Sequence, residues 1–191
     1  MVKIAYWDTE QGGRPPALLG EIKGTPTIRL FKPKRKQKGN KEKTVMDYNQ
    51  ERKAKDMRVF IEYNMPNYAE RISFPSDYTK ALAKAEKYGL PRAIFFPSKP
   101  KTSSVVKFLS TEFRRRLLMI EVVPSTKNEE IMADFGLTAN DLPALIVVNE
   151  EGEKTKYTGG DFTRRKLERF LSEHATKEPV FKPLDKIHTE F

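Results

Sequence analysis

The stretch Lys23-Gly24-Thr25-Pro26-Thr27-Ile28-Arg29-Leu30-Phe31 sets a glycine and a proline directly against a short β-branched and aromatic run. Proline is tolerated at the first residue of a strand, where the ladder does not need its missing N–H donor. The run predicts a strand over Thr27 to Phe31 opened by Pro26, and Thr25–Pro26 is a candidate cis peptide. A short helix is predicted ahead of it over Pro16 to Ile22, and earlier still a strand over Val2 to Trp7. Trp7 is expected in the core. After the strand come a basic connection over Lys32 to Lys43, a returning antiparallel strand over Thr44 to Tyr48, and a helix over Arg52 to Asn64.

The same features recur further on. Ile131 to Leu137 is a helical turn, and Pro143 opens the apolar run Ala144 to Val148. A turn, a strand ending in tyrosine (Tyr48, Tyr157) and an amphipathic helix follow each proline. The helices align at a constant offset of 110 residues, Met57 with Leu167, Phe60 with Phe170 and Ile61 with Leu171. That is an internal repeat of one supersecondary unit, and two copies read as two related domains.

The second copy is fuller. Strands are predicted over Glu70 to Phe74, Arg92 to Phe96, Leu117 to Val123, Leu145 to Val148 and Lys154 to Tyr157. Helices are predicted over Tyr78 to Tyr88 (capped by Ser76-Asp77 and closed by Gly89), Ser103 to Arg115, Asn128 to Gly136 and Thr163 to His174. Asn149-Glu150-Glu151-Gly152 is a hairpin signal. A parallel half is thus followed by an antiparallel half.

That order, with proline opening the fourth strand, resembles the thioredoxin fold and, within it, the protein disulfide isomerase family. Gly24-Thr25-Pro26-Thr27-Ile28 followed by Leu30-Phe31 is similar to the cis-proline segment of the family's redox-active domains. Asp47-Tyr48-Asn49 leading into Arg52 to Phe60 resembles the stretch before their last helix, and Leu90 to Arg116 looks like part of a non-catalytic thioredoxin-like domain. The implied architecture is α/β and thioredoxin-like: one partial and one complete unit with mixed sheets flanked by helices. Residues 1–66 would be the C-terminal part of a redox-type domain, 68–176 a complete non-catalytic domain and 177–191 a flexible tail.

The first unit begins at what would be the third strand. The family's preceding strand and helix, with their Trp-Cys-x-x-Cys motif, have no counterpart, and a fragment of a longer protein is the expectation. Either the strands close up or another segment fills the gap otherwise. In the second unit the positions nearest the motif read Lys101-Thr102-Ser103-Ser104. An ordinary hydroxyl cannot replace the thiolate that attacks in disulfide exchange. No catalytic residue carries over, and the chain as given is expected to be inactive as an oxidoreductase. The resemblance implies polypeptide contact at Thr25 and Pro26, with Pro143 in the same place of the second unit.

The chain stops at His188-Thr189-Glu190-Phe191, similar to a His-Asp-Glu-Leu endoplasmic-reticulum retrieval signal with two positions changed. The resemblance therefore implies the endoplasmic reticulum lumen, unfolded secretory polypeptides and other folding factors as partners, and help with folding rather than chemistry.

Composition bounds the alternatives. The 191 residues hold no cysteine, so the chain can form no disulfide and no thiolate metal site. His174 and His188 are its two histidines, and no metal or cofactor is expected. No apolar run approaches the roughly 18 residues of a membrane span. A net charge of +10 permits nucleic-acid binding, and Lys32 to Lys43 holds seven Lys/Arg against Glu42 alone. A basic nucleic-acid module using that run and Arg114 to Arg116 is one rival, though the run lacks aromatics to stack on bases. A non-catalytic adaptor completed by a partner's strand is the other; it predicts an open sheet edge at Val2 to Trp7 or Thr27 to Phe31.

Overall fold

A strand needs a neighbour to take its N–H and C=O groups, and the two halves of the chain differ in how many neighbours they supply. The computed structural model describes residues 3–33 and 43–182 and divides the chain into two units, Met1–Met65 and Pro66–Phe191.

In the first unit β1 (Arg29–Pro33) and β2 (Lys43–Asp47) form a two-stranded antiparallel sheet with Leu30 opposite Met46. The Tyr48 N–H donates to the Ile28 carbonyl at 2.9 Å and extends the ladder. Helix α1 (Ala54–Asn64) follows, and Phe60 meets the Tyr48 ring edge-on at 5.2 Å. The strand expected over Val2 to Trp7 does not form in its described part. Lys3 to Asp8 are without regular structure, Ile4 and Tyr6 are 93% and 95% exposed, and Trp7 is 40% exposed instead of buried. Their apolar pattern suits a strand, but no described segment pairs with them. The helix expected over Pro16 to Ile22 shrinks to a 3-10 turn, Ala17–Leu19, because Gly20 leaves it with φ of 67°.

The second unit has a five-stranded sheet in the order β3 (Glu70–Ile72), β5 (Leu118–Val122), β4 (Arg92–Phe96), β6 (Ala144–Val148), β7 (Lys154–Lys156). Pairing is parallel between β3 and β5 and between β4 and β5, and antiparallel from β4 to β6 and β6 to β7. This is the strand order of thioredoxin, with a mixed sheet flanked by helices. Strands β5 and β6 are buried throughout and β4 all but Arg92, which is why they read as apolar runs without alternation. Residues Ile94, Phe96, Ile120 and Ile146 centre the core.

The helices of this unit are α2 (Pro75–Tyr88), α3 (Ser104–Glu112), α4 (Glu129–Ala133) and α5 (Arg164–His174). Helix α2 starts earlier than expected. Pro75 takes its first position, where no N–H is needed, and the Asp77 carboxylate accepts the Phe74 N–H at 3.1 Å in place of a Ser76-Asp77 cap. Ser103 caps α3 by accepting the Val106 N–H at 3.2 Å. Helices α1 and α5 are both 11 residues long and offset by 110 at each end. Their inner faces differ: Leu167 and Leu171 are 2% and 0% exposed, whereas Met57 and Ile61 are only half-buried.

Candidate functional site

The proline corner of the first unit is exposed at both Thr25 and Pro26. The peptide bonds Thr25–Pro26 and Leu142–Pro143 are both cis. Two contacts hold the corner: the Thr27 hydroxyl donates to the Gly24 carbonyl, and Arg52 Nη2 donates to the Pro26 carbonyl at 3.1 Å. A third residue fixes the strand below it. Arg29 Nε donates to the Asp47 carboxylate at 2.6 Å, while its Nη atoms donate to the Leu19 and Glu21 carbonyls. That fan ties the loop ahead of the corner to β1 and β2. Thr25 makes no hydrogen bond among the described residues, so its backbone N–H and C=O stay available to an extended chain.

The equivalent corner of the second unit is more closed. Pro143 is exposed, but Leu142 beside it packs on the core cluster. The turn before it is pinned by Asp141, which accepts the Thr138 hydroxyl at 2.7 Å and the Thr138 N–H at 2.8 Å. Those two bonds, the hydroxyl first, hold the Asp141 carboxyl below its ordinary range, with Lys156 adding to the effect.

The turn ahead of α3 is locked from beneath. Glu121 is fully buried in β5, and its Oε2 accepts from the Thr102 hydroxyl at 2.5 Å and from Arg71 Nη1 at 3.1 Å. Arg71 Nη2 also holds the Pro100 carbonyl at 2.6 Å. With Ser103 engaged as the α3 cap, two of the hydroxyls in this turn are committed to structural bonds. Sequence reasoning missed Glu121 and Arg71; the signal was a lone acid within the apolar run Leu117 to Val123.

Arg114 to Arg116, the basic cluster of the nucleic-acid reading, take a different place from the one expected. They lie in the turn after α3 instead of ending it, with Arg115 at φ 68°. Each stacks on an aromatic ring, Arg114 on Tyr68 at 4.1 Å, Arg115 on Phe181 at 4.3 Å and Arg116 on Phe113 at 5.7 Å. The Arg115 and Arg116 carbonyls accept the Val180 and Thr176 N–H groups, so the chain up to Phe181 lies on this turn. His188, Thr189, Glu190 and Phe191, and residues 34–42 of the basic run, lie outside the described residues. Among the described residues no three His, Asp or Glu side chains gather as metal ligands, and no helix is long and apolar enough to cross a membrane.

No family model matches the chain. Over 161 residues, a length greater than either unit alone, it is 29% identical to a protein of Dictyostelium discoideum whose name is that of a candidate protein disulfide-isomerase. The chain is similar to the protein disulfide isomerases. That match takes in 82% of the isomerase-like chain but 36% of the relative, so the chain spans about a third of the relative's length. Solved structures similar to it include full-length ERdj5 (12% identical, TM-score 0.48, 82% of this chain and 22% of that one). Others are thioredoxin from Nicotiana alata (10%, 0.47, 58% and 95%) and zinc-bound human ERp44 (13%, 0.44, 84% and 39%). The fold of the isomerase-like chain rests on the strand order of its own second unit.

Proposed function

We propose that this chain binds unfolded secretory polypeptides in the endoplasmic reticulum lumen and aids their folding without exchanging disulfides itself. The observation that carries the reading is the similarity to a candidate protein disulfide-isomerase, which runs through both units. The exposed Thr25–Pro26 corner supports it, as the Thr25 N–H and C=O, without hydrogen bonds among the described residues, suit an extended chain of any sequence. Pro143 is a weaker second contact, since Leu142 is turned into the core. The absence of cysteine removes the attacking group that exchange requires, so the role is one of binding.

Fluorescence anisotropy of labelled, reduced and carboxymethylated α-lactalbumin titrated with the full chain tests this reading. Saturable binding that native α-lactalbumin fails to compete supports it; no binding at high micromolar chain overturns it. Localisation is tested separately with a secreted reporter carrying residues 177–191. The reading expects the reporter to stay in cells and to be secreted once His188 to Phe191 are deleted. Equal secretion of both would remove the retrieval role.

A further inference from the structure

Like charges set side by side repel, so three consecutive arginines need anions or rings to hold them. Among the described residues no carboxylate pairs with Arg114, Arg115 or Arg116. Each guanidinium lies over an aromatic ring instead, and Arg116 Nε also donates to the Thr176 carbonyl at 2.8 Å. Arg116 is half-buried there, while Arg114 and Arg115 are exposed. Stacking takes up one face of a guanidinium and leaves its in-plane fork of N–H donors to solvent or to a ligand.

The turn that carries these arginines is fixed in place. Arg115 sits at φ 68°, a left-handed backbone that a side chain adopts at a cost, and such strain concentrates at functional positions. Residues 175–181 hold it there. Thr176 and Val180 donate their N–H groups to the Arg116 and Arg115 carbonyls at 3.1 and 2.8 Å, and Val180 packs on the core cluster. The two exposed guanidiniums are therefore placed before any ligand arrives, which lowers the ordering cost of binding. Their surroundings stay positive: residues 111–116 and 175–182 hold five Lys/Arg against Glu112 and Glu178.

We propose that the turn Arg114 to Arg116 is an interaction surface for an acidic polypeptide segment, whose carboxylates take the free edges of the Arg114 and Arg115 guanidiniums. A guanidinium edge matches a carboxylate with two parallel hydrogen bonds. A segment with several carboxylates fits better than a single ion, because the two guanidiniums rest on separate rings, Tyr68 and Phe181. Nucleic acid fits less well, since a guanidinium already lies on each ring that could stack on bases. The surface belongs to the second unit and shares no residue with the Thr25–Pro26 corner. The proposal therefore goes beyond the reading above and stands or falls without it.

The test is fluorescence anisotropy of a labelled decaglutamate peptide titrated with the full chain and with its Arg114→Gln/Arg115→Gln variant. Saturable binding by the natural chain that weakens as salt rises is expected, and about ten-fold weaker binding by the variant for two lost exposed ion pairs. Lys99→Gln/Lys101→Gln removes the same charge at the other end of α3, about 13 Å away and beyond the screening length, and should bind as the natural chain does. The Arg114 and Arg115 Nε–H resonances of the natural chain should move during the titration, and they decide the matter if the arginine variant fails to fold. No binding, equal binding by a folded arginine variant, unmoved resonances, or an equal loss in the lysine variant would each overturn the proposal. All four leave the polypeptide reading at Thr25–Pro26 standing. A thymidine decanucleotide that displaces the peptide and binds more tightly through the same arginines would replace the acidic polypeptide by nucleic acid, which also overturns it.

Discussion

Burying a carboxylate costs several kcal/mol unless a cation and hydrogen-bond donors reach it, and Glu121 is reached by Arg71 and Thr102. Replacing Arg71 by Met leaves the carboxylate with the Thr102 hydroxyl alone. A loss of about 3 kcal/mol is expected, the low end for a broken buried pair because the Arg71 side chain is 39% exposed. Urea denaturation of the second unit measures it, and Glu121→Gln in the same background should recover part of the loss. Asp141 supplies the pH-dependent counterpart. Its pKa is lowered in the folded chain, so its contribution is complete above the ordinary carboxylate value of about 3.9 and is lost as pH falls through the lower folded value. The Thr138 amide resonance should follow that titration, and Asp141→Asn should abolish it.

Sequence reasoning succeeded at elements whose neighbours lie within the chain. Strands β4, β5 and β6 are apolar on both faces because both faces are covered, and the 110-residue offset located α1 and α5. It failed where a pattern depends on a partner. Lys3 to Trp7 alternates like a strand, yet pairing is a property of two segments and only one is described. The stacks of Arg114 and Arg115 use Tyr68 and Phe181, residues too far away in sequence for any local pattern to join them. The repeated helices give a comparison free of differences in topology. Leu171→Ala should cost about 2–5 kcal/mol as a fully buried leucine, and Ile61→Ala no more than about 2, since its side chain is already part-solvated. Unit-resolved urea titration by amide spectroscopy separates the two. Equal costs would show that the first helix is covered as fully as the second.

At the scale of the whole molecule, a proline corner, two antiparallel strands and an 11-residue helix appear twice, among the described residues once within a five-stranded sheet and once in a two-stranded one. Positive charge is concentrated in the first unit: residues 1–65 hold fifteen Lys/Arg against eight Asp/Glu. If nucleic acid were the ligand, affinity would fall steeply with salt through phosphate contacts. A bound unfolded polypeptide predicts a shallow salt dependence, since main-chain bonds and apolar contacts do the holding. The structural premise of the account is the difference in pairing between β1 and β6 among the described residues. Amide hydrogen exchange of the free chain at low concentration tests that premise most directly. Ile146 and Val148 should exchange only through opening of the second unit, while Arg29 and Phe31 exchange near the rate of unprotected backbone. Protection of Arg29 and Phe31 comparable to that of Ile146 and Val148 would contradict the account.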